Sequence, residues 1–239
     1  MSSIPVIELI HACKYFGGRK AVDDVSIRIE DGELRGMIGP NGAGKTTILK
    51  MITGSYELNG GKINFYGKDI SKQKTWKRVR EGISIKMQIP GVYLDLSMRD
   101  NLRIAAQRYY HGHELSMQIE GLLDFVGIGD LGNPLVKNMP HGQQQWLEIA
   151  MSLASKPKLL LLDEPAAGMG PEETLFTAEI VKRVNDSGVT VLFIDHDMDF
   201  VGQIAKRVTV LHYGKIFAEG TMNEIRNNEE VAEIYLGKV

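Results

Sequence analysis

Cysteine is all but missing from this chain. Cys13 is its only one, which rules out a disulfide within the chain and fits a reducing compartment, where a lone thiol serves as a small apolar filler. Long apolar runs are missing too. The longest, around Leu159–Leu162, reads as a short strand, far below the roughly 18 residues a bilayer span needs. Work at a membrane would depend on other chains to do the spanning. Neither charge is in excess: 28 Lys and Arg against 30 Asp and Glu leave a net charge of -2, so nothing points to nucleic acid as a partner. The opening stretch MSSIPVIELIHACKYF has no basic leader, and Glu8 and His11 break its apolar run, so it is not read as a secretory signal. No repeat or low-complexity tract is visible.

What is there is an ordinary mix, 43% hydrophobic and 24% charged, in 239 residues, enough for one large domain or a domain with a subdomain. VIELIHA alternates like a strand, and VDDVSIRIEDGELRGMIG reads as a hairpin around a tight Asp31-Gly32 turn. KTTILKMITG turns helical after Gly39–Gly44 and stops at Gly54, a C-terminal cap. GGKINFYGKDI reads as another short hairpin. From about Ser97 to Gly127 the period is helical. The last block has strands at KLLLLD, VTVLFID, RVTVLHYG and KIFAEG around helices at PEETLFTAEIVKRVN and MDFVGQIA, then helical turns in MNEIRNNEEVAEIYLG. Strands alternating with helices imply an α/β fold with a largely parallel, buried sheet.

Two motifs carry chemistry. GPNGAGKTT, Gly39 to Thr47, has the spacing G-x-x-x-x-G-K-[ST] between a strand, LRGMI, and a helix, KTTILKMI. In such a loop the backbone N–H groups of Gly39, Asn41, Gly42, Ala43 and Gly44 can turn toward phosphate oxygens, helped by the positive end of the helix. Lys45 would reach the β and γ phosphates, Thr46 would bind Mg²⁺ through its hydroxyl, and Thr47 would add a phosphate contact. The second motif is LLLLDEP, Leu159 to Pro165, a buried strand with two acids at its end. Asp163 would hold Mg²⁺, and Glu164 would orient or deprotonate the attacking water, a role that contributes about 10²- to 10⁴-fold in rate. Together they indicate a P-loop NTPase.

The segment between them narrows the family. HGQQQWLEIAMSLASKPKLLLLDEP resembles the signature helix of an ABC ATPase running into its Walker B strand. Gln88 in SIKMQIP matches the Q-loop glutamine that senses Mg²⁺ and the membrane subunit. His196 in FIDHDM matches the switch histidine that contacts γ-phosphate. Phe16 in KYFGG matches the aromatic that stacks on adenine, with Tyr15 a rival. The resemblance implies a RecA-like, mostly parallel core sheet with an N-terminal antiparallel β subdomain and a helical subdomain. It implies one nucleotide-binding domain over 1–239: 1–88 for the β subdomain and first part of the core, 89–155 for the helical subdomain, and 156–239 for the second part of the core. It also implies ATP and Mg²⁺, a second ATPase subunit, two transmembrane permease subunits and, indirectly, an external solute-binding protein. The place of work would be the inner face of the plasma membrane, reached through the permease. FGGRKAVDDVSI, PAAGMGPEET, DHDM and IYLG resemble the branched-chain amino acid importers, and HGQQQWLEIA with VLHYGKIFAEGT is most similar to the urea and short-amide branch.

There are departures. Where the family commonly has Leu-Ser-Gly-Gly-Gln to close over the other subunit's ATP, this chain has Met139, Pro140, His141, Gly142 and Gln143. Pro140 offers neither hydroxyl nor N–H, although proline at a helix start is harmless to the fold. One hydrogen bond to a charged group, about 1.5–3 kcal/mol, lost in the transition state would slow hydrolysis by about tenfold to 150-fold. His141 could donate, carry charge near phosphate, or be a tolerated loop residue. Gly170 in AAGMG stands where an interface aspartate is common. The phosphate loop, Asp163, Glu164 and His196 are intact, so the expectation is a working half of an asymmetric pair, a homodimer being the other possibility. A non-transport ABC ATPase and a regulatory ATP-binding subunit stay open. Trp76 in a basic stretch, Trp146 on the signature helix and YYHGH at 109–113 are read as a solvated face, packing and a solvated loop.

Overall fold

The structure, a computed structural model, describes residues 4–88 and 91–236. The chain opens with two long antiparallel strands, β1 (Ile7–Phe16) and β2 (Arg19–Ile29), whose buried positions Val22, Val25, Ile27 and Ile29 supply the apolar face. β3 (Leu34–Ile38) follows. The Asp31-Gly32 turn forms, with Glu33 N–H donating to the Glu30 carbonyl at 3.2 Å, but it does not close the expected hairpin. β2 stays in a four-stranded antiparallel sheet, whereas β3 crosses into a six-stranded one. The reason lies in the side chains: all five residues of β3 are buried, so the strand needs cover on both faces, which a central parallel position provides.

α1 (Lys45–Ile52) ends as expected, with Gly54 at φ +77° and its N–H on the Met51 carbonyl. β4 (Gly60–Phe65) and β5 (Lys68–Asp69) make the second expected hairpin. Both turn residues, Tyr66 and Gly67, have positive φ, which matches the twist of a two-residue hairpin. The first sheet thus runs β2-β1-β4-β5. α2 (Thr75–Glu81) carries the half-exposed Trp76 under the Arg80 guanidinium, as read from the basic stretch. β6 (Ile83–Lys86), too short and too polar to read as a strand in the sequence, pairs in parallel with the leucine strand.

Next comes a helical stretch: α3 (Met98–Ala106), α4 (Gly112–Phe125) and α5 (His141–Leu153). Ser97 starts α3 by accepting the Asp100 N–H. The chain then alternates through β7 (Leu159–Asp163), α6 (Pro171–Asp186), β8 (Thr190–Ile194), α7 (Met198–Ile204), β9 (Arg207–His212) and β10 (Lys215–Gly220) before α8 (Met222–Arg226) and α9 (Glu229–Leu236). The second sheet has the order β10-β9-β3-β8-β7-β6, parallel except for β10 at its edge.

Two cores flank this sheet, and β7 shows how. Leu160 and Leu162 point into the core shared with α5, α6 and α7, while Leu159 and Leu161 point into the one shared with α1 and the antiparallel sheet. Alternation across a strand puts successive residues on opposite faces, and four leucines at 0% exposure fill both. Each such burial contributes about 1.5–3 kcal/mol.

Candidate nucleotide site

The carboxyl ends of four parallel strands meet on one rim, the place where α/β sheets bind ligands. β3 leads into Gly39, β6 into Gln88, β7 ends on Asp163 just before Glu164, and β8 leads into Asp195 and His196. The loop after β3 needs its glycines for space. A Cβ at Gly39 would lie 2.2 Å from the Leu211 carbonyl oxygen, and one at Gly44 would lie 2.4 Å from that of Ala21. Gly44, at φ +108°, sits directly before α1, so the first free N–H groups of that helix face the loop.

Lys45 is folded into this loop. Its ammonium donates to the Gly39 carbonyl at 2.6 Å and the Pro40 carbonyl at 3.1 Å, and burial lowers its pKa against the opposing pull of Glu164 and Asp163. The Thr46 hydroxyl donates to Asp163 Oδ1 at 3.4 Å. Asp163 is 2% exposed, and burial pushes its carboxyl above the ordinary aspartate range. Its second oxygen has no hydrogen-bond partner among the described residues.

Glu164 stands at the centre. Its backbone is held in the left-handed region, φ +47°, with its N–H on the Ile194 carbonyl at 2.9 Å. A non-glycine residue held there costs about 1–3 kcal/mol and persists only where its surroundings impose it. The side chain is spanned from two sides: the Gln88 amide donates to Oε2 at 2.7 Å, and His196 Nδ1 lies 3.8 Å from Oε1. Asp195, buried beneath, accepts the backbone N–H groups of His196 and Asp197 and so fixes the turn that presents the histidine.

A cleft of about 460 Å³ opens over these groups, lined by Phe16, Arg19, Ala21, the loop 41–47, Gln88 and Glu164. Phe16 lines it and Tyr15 does not. A larger cleft, about 1010 Å³, runs along 54–61 and 71–78, but it holds none of the motif residues, so chemistry rather than size marks the site.

The start of α5 lies apart: no residue from Met139 to Gln143 lines the smaller cleft. Pro140 caps the helix in an extended conformation, φ -52° and ψ 151°. His141 Nε2 lies 3.3 Å from both the Ala167 carbonyl oxygen and the Gln145 side-chain nitrogen. Gly142 is needed for close approach, since a Cβ there would lie 2.5 Å from Glu173 Oε1. Glu173 in turn accepts the Gly170 N–H at the start of α6.

A family model described as ABC transporter matches residues 22–167, more than half of the chain. The chain belongs to the ABC transporter ATP-binding family. A second model, described as branched-chain amino acid ATP-binding cassette transporter, matches residues 215–239. This cassette is 34% identical over 253 aligned positions to the high-affinity branched-chain amino acid transport ATP-binding protein BraF of Pseudomonas aeruginosa, covering 99% of each chain. It is 35% identical to the lipopolysaccharide export system ATP-binding protein LptB of Escherichia coli, covering 94% of each. A crystal structure of a nucleotide-free ATP-binding cassette from an ABC transporter superposes with a TM-score of 0.89 at 28% identity, covering 98% of this chain and all of that one. A crystal structure of an ATP-binding cassette of an ABC transporter in its ADP conformation gives the same TM-score and identity, covering 99% and 100%. The cassette is an ABC-type ATPase.

Within this ABC cassette the side chains that could meet a divalent ion offer hard oxygens: the Thr46 hydroxyl, both oxygens of Asp163, one of them buried and unsatisfied, and the side-chain carbonyl of Gln88. Such a set, completed by phosphate and water, fits Mg²⁺. Sequence reasoning passed over Arg19, which lines the cleft with its guanidinium 3.5 Å from the Gly42 carbonyl oxygen. A basic residue just after the aromatic Phe16 was the available signal. Lys86 and Glu148, buried next to the rim, were also missed.

Proposed function

We propose that this chain is the energy-coupling subunit of an importer, hydrolysing ATP to drive uptake of a small polar solute: branched-chain amino acids, or urea and short amides. The observation that carries the reading is Glu164 held between Gln88 and His196 beside an intact phosphate loop. The backbone N–H groups of Gly39, Asn41, Gly42, Ala43 and Gly44 with Lys45 and Thr47 hold the phosphates, and Phe16 stacks on the adenine. Thr46, Gln88 and Asp163 would hold Mg²⁺, which supplies charge neutralisation at the phosphates. Glu164 orients the attacking water and accepts its proton, and His196 faces the γ-phosphate.

The segment 139–143 serves another subunit's ATP in this reading. His141, Gly142 and Gln143 approach it, and Pro140 brings no donor. Paired with a second ATPase bearing a full signature, the chain keeps its own site competent and leaves the partner's site impaired. Two permease subunits would hold the pair at the inner face of the plasma membrane, with an external binding protein supplying solute. The division at 1–88, 89–155 and 156–239 belongs to the same reading. The match at 215–239 to a branched-chain amino acid model supports import, while the wording of HGQQQWLEIA and VLHYGKIFAEGT supports the urea and amide branch. The similarity to LptB supports export as the second reading.

The test is steady-state ATPase activity of the chain alone and with a companion ATPase and permease, with Glu164→Gln and Pro140→Ser in each. Turnover in the assembly that vanishes with Glu164→Gln is the expected result. Assembly turnover indifferent to Glu164→Gln would make the chain a regulatory ATP binder. Uptake assays in vesicles with labelled leucine and labelled urea then decide solute and direction.

A further inference from the structure

Lys86 takes no part in the chemistry above, yet its side chain is wholly buried at the end of β6. It stands opposite Leu162 in the ladder with β7, so its neighbours on the two strands are the residues leading to Gln88 and to Asp163. The ammonium donates to the Met87 carbonyl at 3.2 Å and lies 3.9 Å from Glu148 Oε2. Glu148 projects from α5, 7% exposed, and its other oxygen accepts the Gly91 N–H at 2.9 Å. One carboxylate of the signature helix therefore holds both flanks of the loop that carries Gln88, the ammonium before it and the backbone after it.

Packing is a poor reason for such a pair, because buried ions are often replaced by apolar residues of similar volume without loss of stability. The separation is informative as well. At 3.9 Å it is about 1 Å longer than a charge-assisted hydrogen bond, and Glu148 Oε2 has no hydrogen-bond partner among the described residues. A small approach of α5 would shorten the contact and draw the loop with it.

We propose that Lys86 and Glu148 form a positioning pair for Gln88. Through this pair the placement of α5, and with it of segment 139–143, sets whether the Gln88 amide keeps its hydrogen bond to Glu164. Neither residue lines the cleft over the phosphate loop. The proposal rests on the hydrolysis reading of the same site and extends it to residues that act through Gln88.

The test uses the full chain with Mg·ATP, comparing wild type, Glu164→Gln, Lys86→Met, Glu148→Gln and Gln88→Ala, and pairing Gln88→Ala with each of the Lys86 and Glu148 changes. Glu148→Gln keeps the shape and the acceptor for Gly91 while removing the charge, so it carries the test where Lys86→Met fails to fold. Each single change at 86 or 148 is expected to lower kcat about tenfold to a hundredfold, the scale of a 1 Å misplacement, with KM for ATP and the melting temperature nearly unchanged. On the Gln88→Ala background the same change is expected to cost less than about twofold, since coupled residues are non-additive. An unchanged kcat in the folded variants overturns the proposal, as does a loss that persists in full without Gln88. If wild-type turnover does not depend on Glu164, the hydrolysis reading itself fails, and that outcome is separate from the other two.

Discussion

The rim at the strand ends and the start of α5 are built on opposite plans. At the rim, side chains from α1 and from the ends of the parallel strands are tied to one another: Thr46 to Asp163, Gln88 to Glu164, Glu164 to His196. At the start of α5 the contacts turn inward, His141 toward Ala167 and Gln145 and Gly142 toward Glu173, and no residue of 139–143 reaches the cleft. The first region gathers its groups from one chain. In the proposed pairing the second serves another subunit's ATP. A substitution at the rim should therefore be felt by this chain's own nucleotide, and one at the start of α5 by a partner's.

The largest expected effect breaks the rim. Glu164→Gln should lower kcat by about 10²- to 10⁴-fold while the Kd for ATP, measured by titration calorimetry, moves little. Next, Pro140→Ser in the self-paired chain should raise kcat by as much as about tenfold to 150-fold, the value of one restored hydrogen bond in the transition state. In a mixed pair the same change should leave turnover at this chain's own site untouched. A quenched-flow experiment with one site at a time disabled reads the difference, and an equal response at both sites would erase the distinction between the two regions.

The pH profile gives a smaller effect. Burial raises the Asp163 pKa, and Mg²⁺ binds only the ionised carboxyl, so protons compete at higher pH than at an ordinary aspartate near about 3.9. Affinity for Mg²⁺ in the presence of ATP should fall as pH drops toward that raised value, and Asp163→Asn should flatten the profile. The smallest effect separates packing from chemistry. Trp146 donates from Nε1 to the Thr177 hydroxyl at 2.9 Å and packs edge-on against Phe176. Trp146→Phe should cost about 1 kcal/mol of stability in a urea melt and leave kcat unchanged.

How much of this was legible in the sequence depended on how local its causes were. The phosphate loop, α1 and the four leucines of β7 were readable because spacing and apolar runs determine them within a few residues. The hairpin expected at Asp31-Gly32 was not there, because the turn is local but the choice of sheet is made by partners more than 150 residues away: Met37 pairs with Ile194, not with β2. β6 was hidden for a related reason. Its four residues include Lys86, whose buried ammonium is accommodated by the Met87 carbonyl and by Glu148 on α5, neither of which the local sequence pattern announces. Arg19 likewise carries no motif of its own and enters the cleft only through the fold.

The alternation of leucines along β7 has a consequence for how the protein matures. Because Leu159 and Leu161 belong to one core and Leu160 and Leu162 to the other, the strand that carries Asp163 and Glu164 to the rim is held by both cores at once. A partly folded chain with one core assembled would have no place for nucleotide. Ligand that binds the native state alone stabilises it in proportion to RT ln(1 + [L]/Kd), about 2.7 kcal/mol at a hundredfold excess over Kd. Cellular ATP would thus act as an inspector of finished molecules, holding complete copies in the native state and leaving incomplete ones exposed to proteolysis.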